Sequence, residues 1–384
     1  MPLPAGDPAD PPAAARPALP AHRQLEHPLP GRLLRLRQRF ARRGFPLLRR
    51  VRRPRDATPH RHPCGDQGGR GGHPVVTSRP LRLVPVVGTD HFEFRTADGT
   101  RLDVEADGPV DAAVSVIFVH GYTLNLTSFR HQRATLDAAG GNVRRIYFDQ
   151  RGFGRSARGP RGPRGPRGTA SLDQLALDLA ELVEAAPGAV VLVGHSMGGM
   201  VVQALAGLRP DLIGGRVRGT VLIASARSGR EIDLHGLERV ARLAGPCLLR
   251  SLQRVRPVVR LAGRLPFDLA AWVMHDRRAL AVHRRAFAEM VEANPLDVLA
   301  DYLAAMFAYD ARAGVAELGR TETVVLSGRS DLVIPVAVSR RLARSIPGAR
   351  LVLVERAGHM VTFEDAAAVD DAIAGVVAKV LAAR

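Results

Sequence analysis

A serine stands between two glycines in the segment Gly-His-Ser-Met-Gly, directly after the apolar run Val190–Val193. Glycines two positions before and after a serine allow a sharp turn from strand to helix, which lifts the hydroxyl above the sheet. A helix predicted to begin at Met197 would direct its first backbone N–H groups at the point where an oxyanion develops. We therefore predict that Ser196 is a nucleophile for acyl transfer and that Gly194 and Gly198 support its turn.

A serine hydroxyl is a weak nucleophile and needs a neighbouring base, for which His359 is the best placed histidine. His359 follows the apolar run Leu351–Val354 and precedes the last predicted helix. Asp331 follows the run Thr323–Leu326 in the same way and could orient the imidazole. The chain order serine, aspartate, histidine is one that a known hydrolytic triad uses. Ser196, Asp331 and His359 are therefore the predicted catalytic residues.

Each of these assignments has a simpler alternative. The serine could be idle in a glycine-rich turn, and His359 could be a structural residue of its loop. Asp331 could cap a helix that begins near Pro335. No carboxylate immediately follows the run Thr220–Ala224, although Glu231 and Asp233 are not excluded as the acid.

An oxyanion hole needs a second donor besides the Met197 N–H. The turn after the run Val114–Val119 reads His-Gly-Tyr-Thr, in which Gly121 permits a tight backbone and the Tyr122 N–H is the predicted donor. His120 precedes this turn, so we predict an orienting role for it rather than a role as base.

The elements that must position these residues alternate between short apolar runs and helical stretches. Two alternating segments around Asp98-Gly99 predict a β-hairpin. The apolar runs that follow are typical of strands buried on both faces of a mainly parallel sheet. The predicted fold class is therefore α/β, with the core formed by residues 78–225 and 319–384.

Residues 226–318 carry helical periodicity instead of strand patterns, interrupted by four prolines. We predict that they form a helical cap, or lid, over a pocket at the active edge of the sheet. Their apolar faces could alternatively dock another protein.

The net charge of +18 is concentrated at the N-terminus, since residues 1–80 hold sixteen arginines and five acidic residues. Residues 1–77 are rich in proline, arginine and glycine and are predicted to be a disordered tail. Weak contact of this basic tail with an anionic surface is possible, but no specific nucleic acid is expected as a partner. Two cysteines, no signal-peptide pattern and no run of about eighteen apolar residues predict a cytoplasmic protein without a transmembrane segment.

Taken together, five motifs resemble the α/β-hydrolase superfamily, in particular its esterase, lipase and perhydrolase-like branch. They are His120-Gly121, Asp149–Ser156, Gly194–Gly199, Asp331 and Gly358-His359. The resemblance implies an α/β-hydrolase fold over about residues 80–384, with Asp149–Ser156 as a scaffold turn beside the pocket. The long basic tail and an Arg-Gly-Pro repeat at 158–168 depart from the family pattern.

The expected function is hydrolysis of a carboxylic ester of a small or medium hydrophobic substrate through an acyl-enzyme. No metal and no organic cofactor is expected. Serine at the turn argues against haloalkane dehalogenases and epoxide hydrolases, which resemble this family but attack through a carboxylate. Cleavage of an amide, thioester, lactone or carbon–carbon bond by the same triad remains an alternative, as does a non-catalytic ligand-binding or sensor protein on the same fold.

Overall fold

A computed structural model describes residues 89–138, 142–160, 170–233, 236, 238–254 and 271–383. The described residues all belong to one structural unit, Leu48–Arg384. The predicted tail at 1–77 and most of the Arg-Gly-Pro repeat lie outside the described residues. Within the described ranges, no helix has both the length and the apolar character that a membrane span requires.

Eight strands form one sheet in the order β1-β2-β4-β3-β5-β6-β7-β8. The strands β1 and β2 form the predicted hairpin, and β2 also runs antiparallel to β4. All other neighbouring strands are parallel, so the carboxyl ends of β3 to β8 lie at one edge. The strands are β1 Asp90–Arg95, β2 Arg101–Asp107, β3 Val114–Val119, β4 Val143–Phe148, β5 Ala189–His195, β6 Val217–Ile223, β7 Glu322–Gly328 and β8 Arg350–Val354.

Helices cover both faces of the sheet, as apolar strands with no polar face require. One face is covered by α2 and α3, with leucine, valine and methionine side chains in the shared core. The other face is covered by α11, which buries Val369, Ile373 and Val376 against the central strands. Outside the insertion the helices are α1 Arg130–Ala138, α2 Leu172–Ala185, α3 Met197–Leu208, α9 Val336–Ser345, α10 Val361–Glu364 and α11 Ala366–Ala382.

The described residues between β6 and β7 contain helices and connecting segments, with one isolated β-bridge from Ser228 to Asp310. The helix α5 includes Pro246, one of the four prolines that interrupt the helical periodicity of residues 226–318. Proline is tolerated in a first helical turn because the N–H groups there have no intrahelical acceptor. Among the described residues of this insertion, the helices include α4 Glu238–Leu243, α5 Gly245–Arg254, α6 Ala281–Ala293, α7 Leu296–Ala308 and α8 Arg312–Val315.

The last predicted helix corresponds to α11, and a separate short helix, α10, precedes it. The break falls at Asp365, whose side chain accepts the Ala368 N–H at 3.1 Å. An aspartate in this position is a favourable N-cap, so a new helix begins after it. The short helix α10 that results follows His359 directly and belongs to the site described next.

Candidate active site

Ser196 lies at the sharp turn between β5 and α3, where its φ is +52°. A positive φ is unfavourable for a residue with a Cβ. The hydrogen bond from the Ser196 N–H to the Ile223 carbonyl, at 2.8 Å, helps to maintain this conformation. A Cβ on Gly198 would collide with the Val119 carbonyl oxygen, and one on Gly194 would lie 2.7 Å from the Gly198 oxygen. Gly198 therefore allows the turn to pack against the end of β3, and Gly194 allows the end of β5 to approach the first turn of α3.

His359 brings its ring to the serine from the loop after β8. Its Nε2 lies 2.9 Å from Ser196 Oγ, and its Nδ1 lies 2.9 Å from Asp331 Oδ2. With Nδ1–H donating to the carboxylate, Nε2 is free to accept the hydroxyl proton. His359 and Asp331 are buried, whereas Ser196 is half-buried. The structure thus brings together the three predicted catalytic residues.

The carboxylate of Asp331 uses both of its oxygens. Its Oδ1 accepts the N–H groups of Val333 and Ile334, both at 2.8 Å, while Oδ2 faces the imidazole. The helix α9 begins at Val336 without a side-chain cap from its N-cap residue Pro335. Asp331 therefore organises its own turn rather than capping α9.

The alternative acid Glu231 is engaged elsewhere. Its carboxylate pairs with Arg227 at 2.6 Å and with Arg341 at 3.3 Å. Hydrogen bonds from Arg227 lower the pKa of Glu231 against the opposing effect of its burial. Asp233 also takes part in interactions, and its N–H donates to the Val333 carbonyl at 2.9 Å. The residue that contacts the imidazole is Asp331.

The predicted oxyanion donors lie on the two segments that flank Ser196. Met197 is the first residue of α3, and the first N–H groups of a helix have no intrahelical acceptor. Gly121 brings the second segment close, because a Cβ there would lie 3.0 Å from His195 Nδ1 and 3.2 Å from Ser196 Cβ. Tyr122 follows it and lines the same cavity as Ser196. This arrangement suits donation by the Met197 and Tyr122 N–H groups to an oxyanion.

His120 is buried at the end of β3 and is held by backbone groups. Its Nε2 accepts the Gln150 N–H at 2.9 Å, and its Nδ1 lies 2.9 Å from the Gly121 carbonyl. Burial lowers the pKa of His120 to about 4, so the ring is neutral near pH 7. These bonds join the turn that carries Gly121 to the segment after β4 and leave His120 no contact with Ser196.

A cavity of about 60 Å³ opens beside Ser196 and His359. Its other lining residues are apolar, apart from the hydroxyl of Tyr122, which donates to the Leu299 carbonyl at 2.7 Å. They come both from the sheet edge and from the insertion between β6 and β7: Tyr122, Met200, Ala226, Ile232, Met274, Met306, Val333 and Ile334. The insertion therefore supplies part of the wall around the nucleophile.

Comparison with known families places this geometry in context. The sequence profile described as "Alpha/beta hydrolase family" matches residues 116–372, which is more than half of the chain. The chain belongs to the alpha/beta hydrolase family. The predicted superfamily and fold class are confirmed.

Individual hydrolases are similar to this chain over most of its length. A 2-hydroxymuconate semialdehyde hydrolase from Pseudomonas sp. (strain CF600) is 28% identical over 271 residues, which are 71% of this chain and 88% of that protein. An esterase from Thermogutta terrifontis has a TM-score of 0.60 and 25% identity, covering 76% of this chain and 99% of that chain. An enol-lactonase from Burkholderia xenovorans LB400, at 22% identity and a TM-score of 0.57, shares the fold over 74% of this chain and 99% of its own. These matches support hydrolase activity on this fold.

Two residues of this alpha/beta hydrolase that the sequence pattern does not single out hold the loop of His359. His195 Nε2 lies 2.9 Å from the His359 carbonyl and donates to it. The Glu364 carboxylate accepts the N–H of Gly358, with 3.2 Å to each oxygen. The position of His195 inside the nucleophile pentapeptide could have indicated the first contact, whereas no local pattern indicates the second.

One group of side chains in the described residues has the composition of a metal site. His91, Asp103 and Glu105 lie together on the hairpin formed by β1 and β2. Arg155 pairs with both carboxylates, at 2.8 Å to Asp103 and 2.7 Å to Glu105, and Arg133 also pairs with Glu105. Because arginines already neutralise both acids, this donor set is better explained as an ion-pair network than as a cation site.

Proposed function

We propose that this alpha/beta hydrolase cleaves carboxylic esters with a small, uncharged, apolar acyl group through an acyl-enzyme. One observation carries the proposal: an unbroken chain of hydrogen bonds, 2.9 Å at each link, joins Asp331, His359 and Ser196 beside an apolar cavity. A base within hydrogen-bond reach of the hydroxyl and itself oriented by a carboxylate is the arrangement that activates a serine.

The reaction needs only groups of this chain and water. Ser196 Oγ bonds to the carbonyl carbon while its proton passes to His359 Nε2, and the N–H groups of Met197 and Tyr122 hold the oxyanion. Collapse of this intermediate breaks the bond to the alcohol oxygen, which takes the proton from His359. Water then attacks the acyl-enzyme, gives a proton to His359, and releases the acid as Ser196 regains its hydrogen. Asp331 stabilises the imidazolium in both halves.

The cavity supports the choice of substrate class. A cavity of about 60 Å³ is small, which favours a short acyl chain. None of the described residues that line the cavity is an arginine, lysine, aspartate or glutamate. An ionised acyl group would lose its hydration there without gaining a partner, which is unfavourable.

A panel of p-nitrophenyl esters tests this function. We expect the wild-type protein to hydrolyse the acetate and butyrate at least tenfold better, in kcat/KM, than the octanoate or the anionic succinate monoester. The Ser196→Ala variant should fold normally and lack this turnover. A wild-type protein that turns over none of these esters would refute the proposal, and parallel assays of a lactone, a thioester and an anilide would identify another bond.

The chain-length preference has a matched pair of variants. Met306 lines the cavity, whereas the similarly buried Met290 packs in a separate cluster with Leu124 and Phe287. Met306→Ala should enlarge the acyl pocket and move the optimum toward the octanoate. Met290→Ala should lower stability by a comparable amount, about 2–5 kcal/mol, without changing the preference. Equal preferences in the two variants would contradict the assignment of the acyl pocket.

The cap role of residues 226–318 belongs to the same proposal, because Ile232, Met274 and Met306 of that insertion line the cavity. A small-molecule ester is the proposed partner of the site. The cytoplasmic location and the contact of the basic tail with anionic surfaces stay predictions from the sequence.

A further inference from the structure

The peptide groups around the catalytic histidine are held on three sides. The Gly358 N–H donates to the Glu364 carboxylate, the His359 carbonyl accepts from His195, and the Met360 N–H donates to the Met274 carbonyl at 3.1 Å. Met274 belongs to the insertion and lines the cavity. The position of the imidazole therefore depends on contacts from outside its own loop.

Glu364 receives a second donor, and this donor belongs to the insertion. The Asp276 N–H lies 2.7 Å from Glu364 Oε2, the same carboxylate that accepts the Gly358 N–H. The two backbones meet closely at this point, because a Cβ on Gly358 would lie 2.7 Å from the Asp276 nitrogen. One side chain thus bonds the loop of the catalytic histidine and the insertion at once.

The same segment of the insertion also contacts the loop of the catalytic aspartate. The Asp276 side chain accepts a hydrogen bond from Ser330, and the Ser330 N–H donates to the Ala357 carbonyl at 3.0 Å. Segment 274–276 therefore meets both loops that carry the proton-relay residues, with Glu364 as the acceptor at its centre.

We propose that Glu364 is a positioning residue that couples the seating of segment 274–276 to the alignment of His359. This inference rests on the proposed function, in which His359 is the base. Its consequence is that the cavity wall at Met274 and the imidazole reach their working positions together. A carboxylate is required because two N–H groups converge on it, and a charged acceptor strengthens both bonds.

The ionisable groups around Glu364 affect its titration. Burial raises the pKa of Glu364, the N–H donors Asp276 and Gly358 lower it, and the negative charges of Asp276 and Asp331 raise it again. Protonation at acidic pH would weaken both N–H bonds and add a second proton-dependent loss of activity to that of the catalytic base. Other ionisable groups on the described segments packed nearby are Arg130, His131, His275, Arg277, Arg278, His283 and His359.

Glu364→Ala and Glu364→Gln test the coupling, with Glu355→Gln as a matched control. Glu355 is an exposed carboxylate that pairs with Arg329 at 2.6 Å beside the Asp331 loop. We expect Glu364→Ala to lower kcat for p-nitrophenyl butyrate about ten- to a hundredfold, the size of loss that misplacement of a catalytic group causes. Glu364→Gln keeps one acceptor oxygen and should lose less, whereas Glu355→Gln should stay within twofold of the wild type.

Two further readouts separate positioning from loss of stability. Amide exchange followed by mass spectrometry should accelerate in 271–276 and 357–360 together in Glu364→Ala. The acid limb of log kcat/KM against pH should steepen from slope one toward slope two in the wild type and keep slope one in Glu364→Gln. If Glu364→Ala does not fold, the profile of Glu364→Gln decides.

The outcome is distinguishable from failure of the proposed function. A wild-type protein without ester turnover refutes that function. If the wild type is active, three results would refute the coupling instead. They are an unchanged kcat in Glu364→Ala, faster amide exchange in only one of the two segments, and a steeper acid limb that persists in Glu364→Gln.

Discussion

Two aspartates of this alpha/beta hydrolase lie just beyond the ends of parallel strands, and both are buried. Asp149 follows β4, and its two oxygens accept backbone N–H groups, from Leu126 at 2.8 Å and from Arg155 at 2.7 Å. Asp331 follows β7 and gives one oxygen to backbone N–H groups and the other to His359. Both aspartates therefore lie at the carboxyl edge of the sheet, but of the two it is Asp331 that contacts an imidazole.

This difference separates a structural carboxylate from the one that we propose to be catalytic. The turn that begins with Asp149 is further secured by Arg151, which binds Asp178 at 2.8 and 2.6 Å. A network saturated by backbone and arginine donors rigidifies the edge, and the bonds of Asp149 do not lead to an imidazole. The network at Asp331 ends on an imidazole that contacts Ser196, so its charge can act on the reacting atoms.

Asp331→Asn should produce the largest effect. An amide at this position cannot hold the imidazole in the tautomer that accepts the serine proton, and the equivalent change in a serine protease lowers kcat about 10⁴-fold. Stopped-flow and steady-state hydrolysis of p-nitrophenyl butyrate will measure it. A variant within tenfold of the wild type would remove the distinction between the two aspartates.

His195 is the last residue of a third strand, β5, and its ring contacts the His359 carbonyl. Burial, followed by the neighbouring His359, lowers the pKa of His195 to about 3, so its Nε2–H donor persists through the working pH range. His195→Leu removes the donor to the His359 carbonyl and should lower kcat about tenfold, close to the value of one neutral hydrogen bond. His195→Gln places an amide N–H near the same point and should recover most of the rate. Equal losses in the two variants would mean that packing, rather than the hydrogen bond, is what matters.

Asp149→Asn should act on stability rather than on turnover. Burial raises the pKa of Asp149 from its ordinary value of 3.8 to about 6, against the lowering effect of the two N–H donors. The native state then takes up this proton before the unfolded chain does. The stabilisation of the native state by protonated Asp149 is fully present below pH 4 and is lost as the pH rises through 6.

Urea unfolding at pH 4.5 and pH 7 measures this contribution. The free energy of unfolding at pH 4.5 minus that at pH 7 should be lower in Asp149→Asn than in the wild type by on the order of 1–2 kcal/mol, since one pKa unit corresponds to 1.36 kcal/mol. The kcat of the variant at pH 7 should stay within about threefold of the wild type. A loss of kcat as large as that of Asp331→Asn would contradict the structural role.

Tyr122→Phe should have the smallest effect. The Tyr122 hydroxyl donates to the Leu299 carbonyl in α7, while the proposed catalytic donor is the backbone N–H. Loss of the hydroxyl should cost about 1 kcal/mol in the free energy of unfolding and leave kcat unchanged. Urea titration and ester hydrolysis measure the two quantities. A tenfold fall in kcat would place the hydroxyl itself in the reaction.

Most of the sheet could be predicted because its strands are short apolar runs with no polar face. The run Val114–Val119 has the same bounds in the sequence pattern and in the structure. The helix ends were less predictable, since Pro246 lies within a first turn and Asp365 starts a new helix. Such features depend on local capping, which hydrophobic periodicity does not describe.

The residues of the proposed triad could be selected from the sequence because each follows its own strand. The contacts of Glu364 could not, because the Asp276 N–H that it accepts lies 88 positions away in a segment without a strand pattern. Asp149 and Asp331 are also alike as sequence features. The chain order serine, aspartate, histidine favours Asp331 as the acid, and in the structure it is the aspartate that faces His359.

The central claim is that Ser196 is made nucleophilic by His359 and Asp331. A fluorophosphonate probe forms a bond to an activated serine oxygen, and peptide mapping by mass spectrometry locates that bond. We expect the wild-type protein to gain one adduct, at Ser196, and to gain it orders of magnitude more slowly after His359→Ala. An unlabelled wild type, an adduct on another residue, or an unchanged rate in His359→Ala would contradict the account.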